Sequence, residues 1–61
     1  MDYRKLLELF LRGQAVNAEI AGMQAENLQR QMLRQSVAYS DQDFLKCAEE
    51  LRNLAAEALK Y

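Results

Sequence analysis

Five large apolar side chains crowd the six positions of Leu6-Leu7-Glu8-Leu9-Phe10-Leu11, and Gly13 follows at once. Side chains of this size cannot stay in water, so whatever this chain folds into must find them a partner. The chain has little of its own to offer. At 61 residues it forms one domain, 1–61, and chains this short bury only about 60% of the surface they expose when unfolded. Disulfides, a metal or a second chain usually supply the missing support. Cys47 is the single cysteine and histidine is absent, which rules out an internal disulfide and removes the commonest zinc and haem ligand. Association is the support that remains.

Hydrophobic content of 51% with 28% charged residues lies far from disordered composition, and the absence of proline permits long uninterrupted helices. From Asp2, a plausible N-cap, the positions can be placed on a helical wheel at about 100° per residue. Tyr3, Leu7, Phe10, Leu11, Ala18, Ala21, Ala25, Leu28 and Met32 then fall within roughly 60° of one direction, with Lys5, Glu8, Arg12, Glu19, Glu26 and Arg30 on a separate sector. The preserved phase predicts one helix over about 2–35. Gly13 and Asn17 offer the alternative, a three-helix unit with a break at 13–17, because glycine commonly ends helices and asparagine commonly starts them.

Ser40-Asp41-Gln42-Asp43 is closely related to a capping box, and Tyr39 and Phe44 stand where a hydrophobic staple would. A second helix over about 41–60 is expected to start there, with Phe44, Cys47, Ala48, Leu51, Leu54, Ala55, Ala58 and Leu59 on one stripe. A short connection makes the two helices an antiparallel hairpin. Pairing them around a turn at 36–40 places Met32 near Phe44, Leu28 near Ala48, Ala25 near Leu51 and Ala21 near Ala55. In that register the second helix is too short to reach the first dozen residues, and Leu6–Leu11 overhang. Leu9, Val16, Ile20 and Met23 form a further apolar line on the back of the first helix, bordered by Asn17, Gln24 and Gln31. One hairpin cannot cover both lines. Leaving Leu6, Leu7, Leu9, Phe10, Val16, Ile20 and Met23 exposed would forfeit on the order of 10 kcal/mol, as much as the whole stability of a small domain. These seven are the expected interaction residues, and the expected architecture is an all-α hairpin that assembles as a homodimeric four-helix bundle. In overall plan this resembles Rop-type bundles; the likeness is architectural, no stretch aligns residue by residue, and no functional residues are carried over.

The residues argue against chemistry. Cys47 lies on an apolar stripe with no histidine to activate it and reads as a buried small hydrophobe. Glu49, Glu50 and Glu57 read as a solvated face, and Asp41-Gln42-Asp43 as a helix start whose acids complement the dipole. No cofactor or metal is expected. A net charge of -1 supplies no broad attraction for phosphate, so nucleic acid is disfavoured, although Arg30 and Arg34, one turn apart, could contact phosphate or an acidic partner. A membrane surface is disfavoured as well, because Asp2 and Glu8 oppose Arg4, Lys5 and Arg12 around the apolar run. Neither a signal peptide nor a transmembrane span is apparent, and a lone reduced cysteine fits the cytoplasm. The expected function is a non-enzymatic protein–protein interaction module, a small adaptor, regulator or co-chaperone acting as a homodimer and meeting another protein through the N-terminal apolar run. The alternative is a nucleic-acid-binding regulator that uses an arginine-bearing face of the dimer.

Overall fold

The computed structural model describes residues 3–61, and within them the chain is two α-helices, α1 (Tyr3–Met32) and α2 (Asp41–Ala58), packed against each other. The expected N-cap at Asp2 lies outside the described residues. α1 runs unbroken through Gly13 and Asn17, so the three-helix alternative is overturned. Asn17 caps nothing; its Nδ2 donates to Gln14 Oε1 at 3.3 Å, one turn back in the same helix. α2 leaves room for a side chain at Gly13: a Cβ there would stand 3.9 Å from Leu51 Cδ2, an ordinary van der Waals distance. Gly13→Ala should therefore stabilise the fold, gaining about 0.8–1 kcal/mol of helix propensity with no clash. For a domain of this size that is a rise of roughly 4–8 °C in thermal midpoint, readable by circular dichroism.

The two ends facing the connection are built by backbone hydrogen bonds. α1 stops at Met32, three residues short of its expected end, where Arg34 adopts a left-handed backbone (φ 58°). The Arg34 N–H donates to the Gln31 carbonyl at 3.0 Å and the Gln35 N–H to the Arg30 carbonyl at 2.8 Å, the pair of bonds that defines a Schellman termination. α2 starts where the sequence indicates. Ser40 is its extended N-cap, and the Ser40 N–H donates to Asp43 Oδ2 at 2.9 Å, which spends Asp43 on capping.

The faces that meet are not the ones expected. Met32 is 77% exposed and Leu28 58%, so the register that put them against Phe44 and Ala48 is overturned. The buried residues are Leu9, Val16 and Met23 of α1 with Cys47 and Leu54 of α2, and Ile20, Phe44, Leu51 and Ala58 pack around them. The line assigned to the back of α1 is thus its front, roughly 140° around the helix from the alanine-lined face at about 100° per residue. Burial is roughly proportional to apolar area, and leucine, valine, isoleucine and methionine bring far more of it to α2 than Ala18, Ala21 and Ala25 would.

The overhang also moves. Lys5 Nζ lies 3.7 Å from Glu57 Oε1, so α2 reaches the start of α1, and it does so because the chain returns alongside Asn27 instead of at Met32. The Asn27 amide holds that return: the Ala38 and Tyr39 N–H groups both donate to Asn27 Oδ1 at 3.0 Å, and Asn27 Nδ2 donates to the Tyr39 carbonyl at 2.9 Å. The Cα trace measures 50 × 17 × 8 Å, a plate one helix thick. Its radius of gyration of 14.8 Å exceeds the roughly 10.5 Å of a globular chain of this length.

Candidate functional site

A single layer of helices buries one stripe of each and leaves the rest in water, whereas stable domains stack two or more layers. The unspent surface is concentrated on the outer side of α1, where Leu7, Phe10, Leu11 and Leu28 are each 58% exposed and Tyr3 76%. Leu33, Val37, Leu45 and Leu59 are also exposed, but they are scattered over the connection and α2. Beside the outer face runs an open apolar groove of about 340 Å³ between the helices, with Leu6 and Phe10 on one wall and Leu51, Ala55 and Ala58 on the other.

The seven expected interaction residues divide. Leu9, Val16 and Met23 are buried in the hairpin's own core and Ile20 packs against it, so these four are spent within the chain. Leu7 and Phe10 stand exposed on the outer face, and Leu6, half-buried, lines the groove. The structure adds Tyr3, Leu11, Leu28 and Met32 to the exposed apolar face. All four carry the phase of Leu7 and Phe10, and that shared phase was the signal available for grouping them.

Arg30 Nε lies 2.9 Å from Glu26 Oε1 in an i,i+4 ion pair along α1, and Arg34 sits in the left-handed position that ends the helix. The opposite flank of the plate is mixed in charge, with Glu19, Asp43, Lys46 and Glu50 bordering Met23, Tyr39 and Cys47. Among the described residues no group of three or more histidine, cysteine, aspartate or glutamate side chains could hold a metal ion. No helix of the described residues is long and apolar enough to cross a membrane.

Cys47 is buried, with Sγ 3.9 Å from Met23 Sδ. Burial pushes its thiol above the usual 9.0, and the nearby carboxylates of Glu19, Glu50 and Asp43 push it the same way. A raised value in the folded state means that stability is complete below pH 9 and declines as pH rises through that range, because the unfolded chain releases the proton more readily. Urea titrations from pH 7 to 10.5 should show a decline that is shallower in Cys47→Ala. The thiol of the folded protein should also be alkylated more slowly than in urea.

The fold and its surface define an all-α helical hairpin whose longest apolar face has no partner among the described residues. No protein-family model matches this sequence, and no curated protein or solved structure matches it.

Proposed function

We propose that this chain is a non-enzymatic protein–protein interaction module, a small cytoplasmic adaptor, regulator or co-chaperone that works as a helical homodimer. One observation carries the reading: the outer face of α1 exposes Tyr3, Leu7, Phe10, Leu11, Leu28 and Met32 on a plate one helix thick. Contiguous apolar surface of this kind marks sites of association. The hairpin core, five buried residues among those described, is small for a chain of this length, and a second chain on the open face supplies the missing burial.

Sedimentation equilibrium tests the first half of this reading. A mass of twice the 7.1 kDa chain at micromolar concentration is expected, with a thermal midpoint that rises with protein concentration. A well-folded monomer with a concentration-independent midpoint overturns it. The second half is read from a pull-down in the native host, where Leu7→Glu should lose the partner proteins that the unaltered chain retains.

A further inference from the structure

Resting on the homodimer reading, we infer that the second copy packs α1 against α1 in antiparallel orientation, on a two-fold axis that passes between Ala18 and Ala21. The outer face recurs every three or four residues from Leu7 to Met32, at positions 7, 11, 14, 18, 21, 25, 28 and 32, and is apolar at all of them but Gln14. This 4-3 alternation is the seam of a coiled coil, and all of α1 through this span is continuous helix.

Apart from Gln14, which meets Ala25, the seam reads alike in size from both ends. Laid antiparallel on itself, it sets Leu7 against Met32, Leu11 against Leu28, Gln14 against Ala25 and Ala18 against Ala21. Large side chains fill the ends, and alanines at the centre let the two backbones approach closely. An isologous contact requires this kind of self-match, in which residue i meets j while j meets i.

Length selects which helix docks. A seam of 26 positions is about 38 Å long, which the 30 residues of α1 can cover and the 18 of α2 cannot. Charge selects the direction. Residues 3–17 of α1 carry Arg4, Lys5 and Arg12 against Glu8, and Glu57 of α2 pairs with Lys5, which leaves that half at a net +1; residues 18–32 carry Glu19 and Glu26 against Arg30, a net -1. An antiparallel pair lays each positive half on the partner's negative half, and it also opposes the two helix dipoles. A parallel pair would stack like charge on like charge.

Disulfide trapping in a Cys47→Ala background tests the orientation. Leu11→Cys and Leu28→Cys chains, one of them labelled with nitrogen-15, are mixed in equal amounts and oxidised slowly, with helicity checked by circular dichroism. Both positions lie outside the hairpin core, so neither substitution removes a contact that the hairpin needs. The expected product is the mixed 11–28 dimer in at least about tenfold excess over either single-position dimer, against the twofold excess of random pairing. Single-position 11–11 and 28–28 dimers as the main products overturn the antiparallel orientation and leave the homodimer standing. A parent chain that sediments as a dimer, with variants that form no disulfide, overturns α1's outer face as the interface. A monomeric parent overturns the homodimer and this arrangement together.

Discussion

Leu9→Glu should abolish the fold at every protein concentration. Leu9 is 4% exposed at the end of the hairpin core, so the substitution removes about 1.5–3 kcal/mol of apolar burial and places an unpaired carboxylate among Leu54 and its neighbours. An uncompensated buried charge costs several kcal/mol more. A chain of 61 residues has about 3–9 kcal/mol of stability to lose. The helical signal at 222 nm is therefore expected to fall to that of the unfolded chain. Leu11→Glu, two residues along on the outer face, is the informative contrast. It should keep most of its helicity at high concentration and lose only the concentration dependence of its thermal midpoint. A folded Leu9→Glu variant would contradict the core described above; a Leu11→Glu variant with unaltered association would contradict the role of the outer face.

Asn27→Ala should produce the largest loss of any polar substitution. One amide satisfies three backbone groups of the returning chain, and no other orientation of its oxygen and nitrogen would serve two donors and one acceptor at once. At about 0.5–1.5 kcal/mol for each bond, tempered because water can replace them in this exposed segment, a loss of roughly 1–2 kcal/mol is expected. That corresponds to a fall of about 1 M in the urea midpoint. Asn27→Asp keeps the acceptor for the Ala38 and Tyr39 amides and surrenders only the bond to the Tyr39 carbonyl, so it should lose half as much or less. Equal losses for both variants would show that the two amide bonds to Oδ1 contribute nothing.

Asn27 also shows where reading from sequence stopped. Its contacts lie 11 and 12 residues ahead, in a connection without periodicity, and an asparagine inside an amphipathic helix carries no mark of such a bond. Without it, the shortest possible turn, around 36–40, sets the register. That register places Leu51 beside Ala25, whereas the structure places it beside Gly13, 12 residues or about three turns away, and it puts the overhang at the wrong end. The Schellman termination at Arg34 was hidden for a related reason: a left-handed residue there is usually glycine, and this chain uses arginine.

The structure decided that α1 passes through Gly13; the sequence by itself determined that the chain is helical, that α2 begins just after its N-cap Ser40, and that α1 carries two apolar lines where one hairpin can cover one. Each of these is a matter of local chemistry: a 3.6-residue period, a capping carboxylate, the absence of proline. Only the tertiary structure decided which of the two lines is core. Both share the same period along the same helix, and phase records that residues face together, not what they face. That choice rests on the larger area that Leu9, Val16, Ile20 and Met23 bring to α2, and on the register that the Asn27 amide imposes at the other end. It turned Leu7, Phe10 and Leu11 outward and left Leu9 inside, dividing between core and surface a run that in sequence is one block.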